Sequence, residues 1–206
     1  MKYLFIDTST SFINISIIDN DNILFNHHQK VDKDMSNKII PIIEEGFSQC
    51  PFNISNIDKI FIVNGPGSFT GVRIGVTVAK TISWSLKIDL IPLSSLEFLA
   101  STNTFKKYKV PMIDARRGNV FAGIYDHDLN PILEDQLISY EQLFQKLNNN
   151  YEQISYDFED MTKPKCDILK VIHKHIKDTP INPHLLVPNY LKLTEAEEKL
   201  NDKINN

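Results

Sequence analysis

Glycine, cysteine and tryptophan are scarce in this chain, and no stretch of it is both long and apolar. Its 206 residues include 7 glycines, 2 cysteines and 1 tryptophan. Cys50 and Cys166 lie far apart and are too few for a disulfide framework, which points to a reducing compartment. No charge-free run approaches the length that crosses a bilayer, and Asp7 ends the opening apolar run Tyr3-Leu4-Phe5-Ile6 too early for a signal peptide. We therefore expect a cytoplasmic protein. The formal charge of −4 is divided evenly between the two halves, so no basic block suggests autonomous nucleic-acid binding. None of the six histidines forms an H-x-x-x-H pair, and G-x-x-x-x-G-K-[ST] and G-x-S-x-G are absent. The sequence thus offers no metal-binding helix, P-loop or serine-hydrolase elbow.

What is present is organised around Gly65-Pro66-Gly67-Ser68-Phe69-Thr70-Gly71-Val72-Arg73-Ile74-Gly75. The apolar run Ile60–Val63 reads as a buried strand that feeds through this loop into a helix over 70–86, with Ser68 as its N-cap. Gly71, Gly75 and Ala79 recur at i, i+4 and i+8, leaving one helical stripe nearly free of side chains. Glycine in a helix costs about 1 kcal/mol relative to alanine, so the stripe implies close backbone contact, with the chain's own sheet or with another protein.

Upstream, Phe12–Ile18 alternates as a half-buried strand, Ile23–His28 completes a meander, and 36–48 has helical spacing with Ser36 as a cap and Pro41 near its first turn. Downstream, Leu90-Ile91 is a short strand, and Ser94-Ser95-Leu96-Glu97 is a capping box. The order then repeats. Val110–Ile113 ends at Asp114 as the first strand ends at Asp7. Strands over 119–125 and 132–138 follow, then a helix from Ser139 to about Leu147, a strand over 154–158 and a helix over 168–176. The chain reads as α/β, with two related lobes of the actin, sugar kinase and Hsp70 (ASKHA) type, the second shortened. The lobes span 1–103 and 104–206, with Asn148–Asn150 and the Lys203–Asn206 tail expected to be mobile.

Asp7-Thr8-Ser9-Thr10, the glycine-rich stretch, Ser94-Ser95-Leu96-Glu97, Asp114-Ala115-Arg116-Arg117-Gly118-Asn119-Val120-Phe121 and Pro188-Asn189-Tyr190-Leu191 together resemble the bacterial TsaB (YeaZ) family. The resemblance implies a non-catalytic partner in making threonylcarbamoyladenosine at adenosine 37 of tRNAs that read codons beginning with A. It further implies pairing with the catalytic TsaD through first-lobe helices, association with the ATPase TsaE, a homodimer when alone, and tRNA contact only through the complex. No cofactor of its own is implied, and ATP or ADP at the complex interface is left open. Where catalytic relatives hold a metal with two histidines one turn apart, this chain has Ser95 and Leu99.

The candidate partner-binding residues are Ile39, Ile43, Gly71, Val72, Gly75 and Ala79. Candidate nucleotide or anion contacts are Asp7, Thr8, Ser9, Gly65, Gly67, Arg116 and Arg117, although the bulky Arg116-Arg117 turn stands where actin-like ATPases need glycines. The departures from the family are Met35-Ser36 before the first helix, where His-Ser is usual, and a missing glycine turn near 155–158. His173 and His175 are expected at the surface, on different sides of their helix. The alternatives are a small-molecule kinase or ATPase of the same fold and, least favoured, a peptidase of the M22 type.

Overall fold

In the computed structural model, residues 1–31, 34–148 and 150–191 are described. The first lobe contains β1 (Lys2–Asp7), β2 (Phe12–Asp19), β3 (Asn22–Lys30), α1 (Met35–Ser48), β4 (Lys59–Val63), α2 (Phe69–Leu86), β5 (Asp89–Leu93) and α3 (Ser95–Ala100). The second contains β6 (Tyr108–Arg116), β7 (Asn119–Tyr125), β8 (Pro131–Ser139), α4 (Tyr140–Phe144), β9 (Tyr151–Ile154) and α5 (Ile168–His175). The five-stranded sheet runs β3-β2-β1-β4-β5 and the four-stranded sheet β8-β7-β6-β9. In each, an antiparallel meander is extended by a strand parallel to its first member, β4 on β1 and β9 on β6. The duplicated α/β order read from the sequence is therefore present, and among the described residues the second sheet has no counterpart of β5.

The central strands are apolar throughout because both faces are covered. Leu4, Ile6, Ile60 and Ile62 pack beneath α1 and α2, whereas Tyr3, Phe5, Phe61 and Val63 face a second core shared with α3, α5 and the inner side of the second sheet. A third cluster, including Val110, Met112 and Leu143, lies under α4. The alternation in β2 consequently does not mark a solvent face. Asn14 is 4% and Ser16 0% exposed, and both are satisfied by hydrogen bonds: Asn14 donates to Asp7 and Ser16 to Asn26.

Several boundaries differ from the sequence reading. Asp34, not Ser36, precedes α1, and it makes no side-chain cap. The late strand is Tyr151–Ile154, because after Ile154 the chain turns, with Ser155 Oγ donating to the Met112 carbonyl. Ser94 accepts from the Leu96 and Glu97 amides, but the Glu97 carboxylate does not complete a capping box. It takes Lys174 at 2.6 Å and His175 at 2.8 Å instead, so His175 is half-buried and paired rather than free at the surface. Burial pushes the Glu97 carboxyl up, but the hydrogen bonds from His175 and Lys174 outweigh it and leave the carboxyl below its ordinary pKa. The same bond to Glu97 raises His175.

The division at 103/104 also needs adjustment, because the chain returns to the first lobe after α5. The Ile181 amide donates to Leu90 O, Lys80 Nζ to Leu186 O and the Asn189 amide to Asn64 O. Asn149 and the Lys203–Asn206 tail, where mobility was expected, lie outside the described residues.

The glycine stripe is turned inward. A Cβ on Gly71 would stand 2.1 Å from the Thr8 carbonyl oxygen, and one on Gly75 would stand 2.3 Å from Thr8 Oγ1. Thr8 Oγ1 donates to the Gly71 carbonyl at 2.7 Å. Gly71→Ala would gain about 1 kcal/mol of helix propensity in isolation. Here it must displace backbone, and overpacking of this kind typically costs 1–3 kcal/mol. A lowered Tm in thermal denaturation is expected, and an unchanged or raised Tm would contradict the contact.

Lys109 makes the opposite prediction. It is 0% exposed and its ammonium has no hydrogen-bond partner among the described residues. Burial, then the neighbouring Lys170, pushes its pKa down from 10.5 to about 8. Between those values the unfolded chain holds the extra proton, so this group makes stability rise with pH across that window. At about 1.4 kcal/mol per unit, the charged form opposes folding near neutral pH by roughly 3 kcal/mol. Lys109→Met should raise Tm at about pH 7 and flatten the rise between about pH 8 and pH 10.5. Melts of both proteins across this range provide the check.

Candidate functional site

A cavity of about 510 Å³ opens between the lobes. Its first-lobe wall is the exit of β1, Ser9-Thr10-Ser11, together with Gly67 and the start of α2. Its second-lobe wall is the end of β6, Phe121 and Asp157, and Tyr190 from the returning segment adds to the lining. Of the seven residues expected to touch an anion or nucleotide, Ser9, Gly67 and Arg116 line this cavity, while Asp7, Thr8, Gly65 and Arg117 do not.

The physical reasons are local. Asp7 is 2% exposed and takes hydrogen bonds from the Ser9 amide, Ser9 Oγ and Asn14 Nδ2 at 2.7–2.9 Å. Burial raises its pKa, and the bonds from Ser9 and Asn14 work against that rise. Its carboxylate thus braces the β1 exit. Gly65 and Gly67 have φ of 113° and 155°, and a Cβ on either would stand within 2.3 Å of a carbonyl oxygen, Asn189 O or Ser9 O respectively. These glycines permit close chain packing. Arg116, Arg117 and Gly118 all have positive φ, and the Arg117-Gly118 turn links β6 to β7. Arg117 stands exposed on it.

The residues that sequence reasoning missed are the acidic and aromatic ones. The Asp114 amide donates to Asp157 Oδ2 at 2.9 Å, and the Arg116 amide donates to Asp114 Oδ1 at 2.8 Å. Phe69 stacks with Tyr190 at 4.8 Å, the Arg73 guanidinium lies 3.7 Å from the Phe69 ring, and Arg73 Nε donates to Tyr190 Oη at 2.7 Å. Asp114 was legible as the repeat of Asp7. Asp157 and Tyr190 reach the cleft only through tertiary folding.

The six candidate partner-binding residues occupy the chain's own core. Ile39, Ile43, Val72 and Ala79 are 0–4% exposed, and Gly71 and Gly75 are buried on the same face of α2. The outward side of these helices presents other apolar groups, with Ile40 44%, Phe69 45% and Trp84 63% exposed. Leu185 and Val187 of the returning segment add 69% and 67%. Both charged residues of α2, Arg73 and Lys80, are basic.

Ser95 donates to the Pro66 carbonyl and Leu99 packs in the core between the lobes, so neither position offers a ligand atom to a metal. Among the described residues, no three His, Cys, Asp or Glu side chains are grouped to hold an ion. Cys50 and Cys166 are free thiols, and burial pushes Cys166 up to about 12, which suppresses its thiolate.

Comparison with known proteins agrees with this geometry. A family model described as TsaD, tRNA N6-adenosine threonylcarbamoyltransferase, matches residues 26–176. The solved structure of YeaZ from Pseudomonas aeruginosa superposes with a TM-score of 0.77 at 20% identity, covering 92% of this chain and 99% of that one, and so shares the fold. The tRNA threonylcarbamoyladenosine biosynthesis protein TsaB of Escherichia coli is 29% identical over 135 residues, which is 64% of this chain and 58% of that protein. TsaB of Bacillus subtilis is 30% identical over 225 aligned positions, spanning 97% of each chain. With that identity along the whole length and the shared two-lobed fold, this chain belongs to the TsaB family of tRNA threonylcarbamoyladenosine biosynthesis proteins.

Proposed function

We propose that the chain is the non-catalytic subunit of the pathway, a scaffold that activates a TsaD-type transferase as it transfers threonylcarbamoyl to adenosine 37 of tRNAs reading ANN codons. The observation that carries this is the closure of Asp7. The carboxylate that would have to hold a metal-bound phosphate is committed to Ser9 and Asn14 beneath the cavity floor. The Arg116-Arg117 turn and the Ser95 and Leu99 positions support the same reading. In this proposal the protein works in the cytoplasm, carries no cofactor, pairs with TsaD through the outer sides of α1 and α2, and pairs with a second copy when TsaD is absent. TsaE joins the assembly, tRNA is met through the complex, and ATP or ADP belongs to the complex interface. The partner-facing residues become Ile40, Phe69, Arg73 and Trp84, while the core residues of the same helices hold the surface in place.

Transfer of labelled threonine to unmodified tRNA by the reconstituted pathway tests the role. Product is expected only when TsaD and this chain are both present. Product from this chain alone, or full TsaD activity without it, would sink the proposal. The surface is tested separately with Ile40→Glu combined with Trp84→Ala. Exposed substitutions usually change stability by no more than about 0.5 kcal/mol, so Tm should stay near the parent value while co-elution with TsaD on a sizing column is lost. Retained co-elution would move the interface elsewhere.

A further inference from the structure

The cavity between the lobes has a composition that the scaffold role leaves unused. At about 510 Å³ it lies within the range of small-ligand sites, and both lobes contribute to its lining. Its charged groups are two carboxylates, Asp114 and Asp157, and one guanidinium, Arg116. The carboxylates are fixed by backbone amides: Asp157 Oδ2 accepts from Asp114 and Asp114 Oδ1 from Arg116. Among the described residues, the second oxygen of each accepts no hydrogen bond. Flat apolar surface comes from Phe69 and Tyr190 on one side and Phe121 on the other.

These features select one chemistry. A fixed carboxylate pair accepts hydrogen bonds from a vicinal diol, as acidic residues do at the ribose of dinucleotides. Aromatic surface takes the face of a heterocycle. The same carboxylates repel a polyphosphate, and with Asp7 closed by Ser9 and Asn14 and Arg116 the one basic group among the described lining residues, little opposes that repulsion. We propose that this cleft binds a nucleoside, its ribose hydroxyls held by Asp114 and Asp157 and its base against the Phe69–Tyr190 wall. The nucleoside is either a free molecule or the 3′-terminal nucleotide of an RNA chain, whose ribose keeps both hydroxyls. Binding of this kind shares Phe69 with the proposed partner surface but needs no TsaD, so titration of the chain alone tests it separately from the scaffold reading.

Calorimetric titration of the full chain alone separates the outcomes, with adenosine, ribose, Mg²⁺–ATP and a single-stranded RNA oligonucleotide as probes. Adenosine should bind, ribose should not, and Mg²⁺–ATP should bind at least tenfold more weakly than adenosine. Tighter binding of the oligonucleotide than of adenosine assigns the ligand to RNA, and the reverse order assigns it to a free nucleoside. Asp114→Asn and Tyr190→Ala, each with Tm measured in parallel, should weaken adenosine binding roughly tenfold or more. Absence of binding by both adenosine and the oligonucleotide overturns the inference. So does preference for Mg²⁺–ATP, or affinity unchanged in both variants while their Tm values stay at the parent level.

Discussion

The rest of the structure depends on the close approach of α2 to the exit of β1. Thr8 donates to the Gly71 carbonyl, the Ser68 amide donates to Ser9 O, and Gly67 lies against the same carbonyl. Side chains at 67, 71 or 75 would push the helix away and open the apolar layer formed by Val72, Val76 and Ala79 on the sheet. The same contact sets where Phe69 and Arg73 emerge. The first-lobe wall of the cleft and the outer side of α2 are therefore two sides of one rigid unit.

That unit also sets the two equivalent acids of the lobes in different surroundings. The carboxylate at the end of β1 has become part of the brace, sealed by Ser9 and Asn14. Its counterpart at the end of β6, Asp114, remains exposed and is held by Asp157 and its own turn. Duplicated topology has diverged into one structural and one accessible acid. A cavity remains between the lobes, and among the described residues its walls carry hydroxyls, carboxylates, aromatic rings and a single basic group.

The lobes are joined on their inner side by polar as well as apolar contact. Glu97 on α3 is held by Lys174 and His175 on α5, and Lys174 also reaches the Leu129 carbonyl. Ser94 and Tyr125 both donate to Asp135, whose pKa burial raises. Placed beside a shared apolar core, this network fixes α3 against the second sheet in one orientation, because its buried donors and acceptors are satisfied only in that arrangement. The returning segment, anchored through Leu186 and Asn189, closes the far side of the first lobe.

The alternation of apolar runs, the capping serines at 68, 94 and 139, and the repeated strand order determined the element types and the two-lobed plan, because these are local properties of backbone and side-chain spacing. The TsaB-like character of the glycine-rich stretch and of Asp114–Phe121 was equally legible. Which way the glycine stripe faces was not, since a stripe without side chains suits any close backbone and only the folded position of Thr8 decides between the chain's own sheet and a partner. Nor could the sequence place Asp157 and Tyr190 in the cleft, far as they are along the chain from Ser9 and Gly67. It could not predict the pairing of the buried Glu97 with α5 either. Those outcomes depend on packing between distant segments, where burial turns an ordinary carboxylate, lysine or tyrosine into a fixed part of the site.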